Sequence, residues 1–194
     1  MMLKITKKTG DRIEFNIEGI DSSMANALRR IIISEIPIMA IDEVSFYDNS
    51  SVIHDELLAH RLGLVPLKTD PASPDTIKLS LEVKGPGAVH AKDLKLAQTK
   101  VKGKKKKIDN IAVYDEMLLV KITENQGIKL EATAKLGKGK DHMKWQGGLA
   151  SYELRDDGSF DFFVESYGQM SVENLVTRSL DLFKDRLEDL KSSL

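Results

Sequence analysis

Residues Asp21 to Val44, DSSMANALRRIIISEIPIMAIDEV, constrain the fold more than any other stretch. Asp21 or Ser22 can cap a helix, because a side-chain oxygen there accepts from first-turn N–H groups that lack a backbone partner. Met24, Ala27, Leu28, Ile31 and Ile32 recur at helical spacing and give that helix one apolar face. Pro37 stops it, having no N–H to donate and disfavouring helical geometry in the residue before it. Ile38 to Val44 then reads as an extended, mostly apolar segment with Asp42 and Glu43 near its end. Arg29 and Arg30 follow the apolar face directly. Such a pair either lies at the helix edge and reaches into water, or offers a guanidinium fork to a partner's carboxylate or backbone.

The flanking segments are mostly β. Leu3 and Ile5, then Ile13, Phe15 and Ile17, alternate with polar residues around Thr9-Gly10, which predicts a hairpin with one buried face. Asn49-Ser50-Ser51 is a cap-rich start for a second helix, with Gly63 as a left-handed terminator. Residues 70–74 read as a loop. Ile77 to Val83 alternates strictly, Gly85-Pro86-Gly87 interrupts, and Met117 to Ile122 and Ile128 to Leu136 add two strands joined through Asn125-Gln126-Gly127. This middle is predicted to be antiparallel sheet with one solvated face. Leu149 to Leu154 and Phe160 to Val164 flank Asp156-Asp157-Gly158, a hairpin signal.

A last helix begins after Gly168 with Ser171 as its cap. Its Val176, Leu180, Phe183, Leu187, Leu190 and Leu194 step by four and three residues alternately. That is the 3.5-residue period of a helix–helix seam. The stripe is either the core face of a terminal helix or a surface awaiting a partner helix. No later segment in the sequence is expected to cover it.

Little chemistry can be picked out. Glu56 and His60 share a helical face, but His54 and His60 do not, so His54, Asp55, Glu56 and His60 lack the zincin pattern. A capped, partly exposed helix is expected there. Gly137-Lys138-Gly139-Lys140 lacks Walker spacing and a following Ser or Thr. No nucleophile, base and orienting acid converge by spacing, so no catalytic residues are expected. Trp145, the single tryptophan, is expected as a buried anchor beside a domain junction. The run from Lys100 to Lys107 is the strongest local charge. It is expected to be a solvated loop, with a secondary role for Lys104, Lys105, Lys106 and Lys107 in touching phosphates. The net charge of −1 supplies no general attraction for nucleic acid. The chain has no cysteine, hence neither disulfides nor thiolate metal sites. No apolar run approaches the roughly 20 residues of a membrane helix, and MMLKITKKTG lacks a signal-peptide core. A cytoplasmic protein is expected.

Three blocks carry a resemblance. Asn26-Ala27-Leu28-Arg29-Arg30-Ile31, Ser34-Glu35-Ile36-Pro37 and Ala40-Ile41-Asp42-Glu43-Val44 form the first. Asn49-Ser50-Ser51-Val52 with Asp55 to Leu67 forms the second, and Gly139-Lys140-Asp141-His142-Met143-Lys144-Trp145-Gln146 the third. In sequence and spacing they resemble the alpha-like assembly subunits of multisubunit RNA polymerases, and most of all their archaeal D-type branch. That family is related to bacterial alpha and to the third-largest subunit of eukaryotic RNA polymerase II. The resemblance implies an α+β, two-domain fold like the alpha-subunit N-terminal domain: a discontinuous dimerisation domain, residues 1–46 and 147–194, interrupted by a β-rich insert domain, residues 47–146. It implies a non-catalytic subunit of DNA-dependent RNA polymerase that pairs with subunit L. The pair would recruit small subunits N and P and then the large catalytic subunits. By motif position, Asn26, Arg29, Arg30 and Glu35 would contact the second-largest subunit, B. Leu28, Ile31 and Ile32 with Val176, Leu180, Phe183, Leu187, Leu190 and Leu194 would form the heterodimer interface. Some relatives carry a cysteine-bearing segment that holds an iron–sulfur cluster or zinc; with no cysteine here, neither cofactor is expected. The alternatives are a stand-alone nucleic-acid-binding module using the lysine run, and a homodimer like bacterial alpha.

Overall fold

A computed structural model describes residues 2–70, 74–97 and 111–193. The lysine run from Lys100 to Lys107, residues 71–73 and Leu194 lie outside the described residues. The chain divides into two compact units, one from residues 1–38 and 138–194, the other from 39–137.

In the first unit, β1 (Met2–Thr9), β2 (Arg12–Glu18), β10 (Phe160–Ser166) and β9 (Gly148–Leu154) form an antiparallel sheet in the order β1-β2-β10-β9. Ile13, Phe15 and Ile17 alternate with Phe160, Phe162 and Val164 on one face. Helices α1 (Ser22–Ser34) and α3 (Val172–Ser192) supply Ala25, Leu28, Ile32, Leu175 and Val176 to the same core. Asp21 caps α1 by accepting from Met24 N–H at 2.8 Å. Ser171 caps α3, accepting from Asn174 N–H. The buried stripe of α1 is Ala25, Leu28, Ile31 and Ile32, rotated slightly from the face read in sequence, with Met24 and Ala27 half-buried.

The first hairpin departs from expectation. Only β2 buries a face; every residue of β1 is exposed, including Leu3 and Ile5. Leu3 pairs with Ile17 and Ile5 with Phe15, so both side chains continue the core-side face of the sheet. β1 is the edge strand, and neighbouring elements leave it uncovered.

In the second unit, β3 (Ile38–Asn49), β8 (Gly127–Gly137), β4 (Thr76–Lys84) and β6 (Lys95–Leu96) form one sheet in the order β3-β8-β4-β6. β5 (Gly87–His90) and β7 (Leu118–Ile122) form a second, two-stranded sheet, so the three middle strands do not share one sheet as expected. Helix α2 (Asp55–Gly63) adds Leu58 and Leu62 to a core with Met39, Ile41, Leu79, Leu81 and Leu130. α2 starts later than the cap-rich Asn49-Ser50-Ser51 predicts. The Asn49 carboxamide instead folds a turn, accepting from Ser51 and donating to Ile53 and Asp55. Gly63 is the last helical residue and does not adopt a left-handed conformation.

The breaks between units fall at 38/39 and 137/138, ahead of the expected 46/47 and 146/147. Ile38 packs in the first core, whereas Met39 and Ile41 pack in the second. Gly139 and Gly147 lie against Ile33 and Ile38, so the third block belongs to the first unit.

Candidate interaction site

The first and third sequence blocks meet at the C-terminal end of α1. Lys140 N–H donates to Ser34 C=O at 3.0 Å, which lays the 138–146 segment against the helix end. The approach is closest at Gly139, where a Cβ would stand 2.5 Å from Ile33 O and 3.0 Å from Ser34 Cα. Backbone cannot yield there, so only glycine fits. Beyond it His142 Nδ1 accepts from Lys144 N–H, and the Lys144 ammonium sits 4.3 Å from the centre of the Trp145 ring. Trp145 is half-buried rather than a buried anchor, with His142 packed edge-on to it. Gln146 Nε2 donates to Gly148 C=O and Tyr167 Oη, tying the segment to β9.

Glu35, directly after α1, faces three cations. Its Oε2 is 3.1 Å from Arg186 Nη2, 3.8 Å from Lys138 Nζ and 3.9 Å from Lys140 Nζ. Its side chain is only 15% exposed. Arg29 donates from Nη2 to Asn26 Oδ1 at 2.9 Å, one turn earlier on the helix, and both are half-buried. Arg30 is exposed, and its side chain meets no partner among the described residues.

α3 changes character along its length. Val172, Leu175, Val176 and Ser179 are buried, with Ser179 Oγ donating to Val176 C=O at 2.6 Å. Leu180, Leu182 and Phe183 are partly covered. Leu187 and Leu190 are 49% and 60% exposed. At the other end Lys8 ion-pairs with Glu173 in the first turn, and that hydrogen bond holds the Glu173 carboxyl below the ordinary glutamate range, with help from backbone donors.

The sequence-predicted residues therefore separate into groups. Leu28, Ile31, Ile32 and Val176 are buried within the chain and have no surface left for a partner. Leu180 and Phe183 are intermediate, Leu187 and Leu190 are open, and Leu194 falls outside the described residues. Asn26, Arg29 and Glu35 are engaged internally, which leaves Arg30 as the free member of its set. The three-cation cluster on Glu35 escapes sequence reasoning, because its members come from three separated segments. Lys138 and Lys140 carry a signal only as a lysine–glycine alternation. Lys104, Lys105, Lys106 and Lys107 lie outside the described residues. In the second unit His54, Asp55, Glu56 and His60 are all exposed, and no three metal-ligating side chains gather among the described residues. No described helix is long and apolar enough to cross a membrane.

Comparison with known proteins points one way. The model of the RNA polymerase Rpb3/Rpb11 dimerisation domain matches residues 14–187. The chain is 44% identical over 160 residues to DNA-directed RNA polymerase subunit Rpo3 of Pyrococcus horikoshii, covering 78% of this chain and 58% of that protein. The match to the Rpo3 of Thermococcus kodakarensis is 43% over 159 residues, covering 77% and 58%. The Rpo3 of Methanocaldococcus jannaschii is 38% identical over 195 residues, 99% of this chain and 96% of that one. The chain thus spans less than two thirds of the Pyrococcus and Thermococcus relatives and nearly all of the Methanocaldococcus one.

Proposed function

The chain belongs to the RNA polymerase Rpb3/Rpb11 dimerisation-domain family, and from that membership we propose that it is a non-catalytic assembly subunit of an archaeal DNA-directed RNA polymerase. It acts in the cytoplasm as one half of a heterodimer with subunit L. The pair offers a joint surface to small subunits N and P and to the second-largest subunit, B. Nucleotidyl transfer belongs to the large subunits.

One observation carries the pairing: the distal half of α3 holds Leu187 and Leu190 in water, on the same seam whose proximal half is buried. Apolar side chains at seam spacing are stabilised by a partner helix. Phe183, half covered, marks where the internal core gives way to that contact. Arg30 is the favoured contact for the B subunit, since it is exposed and beside the Asn26–Arg29 pair. No iron–sulfur cluster or zinc enters the reading, because a chain without cysteine has no thiolate to hold one.

Co-expression with an archaeal L-type subunit, followed by size-exclusion chromatography with light scattering, tests it. The expected result is a 1:1 complex that Phe183→Asp and Leu187→Asp break. A monomer indifferent to L overturns the pairing.

A further inference from the structure

Glu35 contributes one negative charge and gathers three positive ones at 3.1 to 3.9 Å. Its Oε2 is sealed from solvent. The cluster therefore keeps an excess of two positive charges, and that excess faces outward: the side chains of Lys138, Lys140 and Arg186 are 39%, 52% and 53% exposed. Both lysine distances exceed hydrogen-bonding range, so ammonium donors remain open. The Arg186 guanidinium meets Glu35 through Nη2 and has further N–H groups to offer. Like charges gathered around one carboxylate repel one another, and a second anion relieves that repulsion.

The surroundings select the kind of anion. Leu187 and Leu190 are exposed on the same helix as Arg186. A carboxylate flanked by apolar side chains suits such a surface. A nucleic-acid backbone does not: it offers nothing apolar to Leu187 and Leu190, and its continuous line of phosphates would run past Asp181, Asp185, Glu188 and Asp189 on the same helix, whereas a single carboxylate need meet only the three cations.

We infer that Lys138, Lys140 and Arg186, seated on Glu35, form a receptor for an acidic side chain of the subunit that pairs along α3. This rests on the pairing reading above and adds a polar anchor to its apolar seam. The carboxylate enters between the lysines and the guanidinium, giving charge-assisted hydrogen bonds that fix the register of the two helices.

The test is binding of purified chain to an archaeal L-type subunit by calorimetry across a salt series. The variants are Lys138→Gln/Lys140→Gln, which leaves the Glu35–Arg186 pair in place, and Lys184→Gln, whose lysine pairs with Glu188 on the exposed side of α3. The double variant should bind about tenfold more weakly in low salt and with a shallower salt dependence, while Lys184→Gln matches the unmodified chain. Unchanged affinity and salt slope in the double variant overturn this inference and leave the pairing intact. No complex with the unmodified chain overturns both. Lysine-dependent retention of duplex DNA with no lysine-dependent effect on L overturns it in favour of a phosphate ligand.

Discussion

Phe15 and Phe162 face each other across the β2–β10 ladder, ring centroids 5.3 Å apart and planes within 4° of parallel. Both are almost wholly buried, and together they join the N-terminal hairpin to the C-terminal one. Phe162→Ala should destabilise the first unit by about 3–5 kcal/mol, the usual result of emptying an aromatic site in a core. Phe163 points to the opposite face, with the Arg12 guanidinium 4.4 Å from its ring centre. Phe163→Ala should lose only about 1 kcal/mol. Urea unfolding of the two variants gives the comparison, and equal losses would contradict the assigned faces.

Gly139→Ala should be disruptive out of proportion to one methyl group. Its Cβ would meet Ile33 O at 2.5 Å and Ser34 Cα at 3.0 Å, both backbone. The segment must lift from α1, at about 1–3 kcal/mol. Gly87→Ala, with nothing within 4 Å of its Cβ, should be close to neutral. Thermal melts of both variants separate crowding from a general glycine effect.

Leu187→Asp and Leu175→Ala should fail differently. Leu175 is fully buried, so its truncation should lower the stability of the isolated chain by about 2–5 kcal/mol. Leu187 is half exposed, so its replacement should change that stability by about 0.5 kcal/mol or less while abolishing the proposed pairing with L. Melting temperature and complex formation, measured side by side, check both halves.

The β9–β10 turn should respond to acid. Asp157 accepts from the Ser159 hydroxyl at 2.7 Å and from its backbone N–H at 2.9 Å, and these bonds, the hydroxyl's first, lower the Asp157 pKa. A carboxyl whose folded pKa lies below its unfolded value of about 4 stabilises the turn above that pH. The contribution is lost as pH falls through the folded pKa. Ser159→Ala should raise the Asp157 pKa in an NMR titration; no movement would show that the hydroxyl does not set it.

Local chemistry was legible in the sequence. The cap at Asp21, the stop at Pro37, the turn at Gly158 and the cap at Ser171 all appear where side-chain acceptors, ring closure and glycine demand them. Long-range placement was not. Alternation in Leu3 and Ile5 reports that β1 has two faces, but it cannot say whether anything covers one of them. Asn49 and Ser51 make the same side-chain-to-backbone bonds in a turn as in a cap, which moved the start of α2 to Asp55. The periodicity of α3 shows a seam yet does not mark where the chain's own core ends along it. The site is non-local in the same sense: Glu35 is conspicuous in its motif, but its three cations become neighbours only when the 138–140 segment and α3 fold against α1.

The strand order β1-β2-β10-β9 sets a timetable for synthesis. At ~5–20 residues per second, β10 follows β2 off the ribosome by roughly 7 to 30 seconds. Throughout that interval α1 lacks β9 and α3, the elements it packs against most closely, and a helix of 13 residues is marginal alone. Residues 39–137 emerge complete in the meantime and can fold first. The α1–α3 surface therefore exists only on chains translated through α3, so truncated products cannot compete for a partner that binds there.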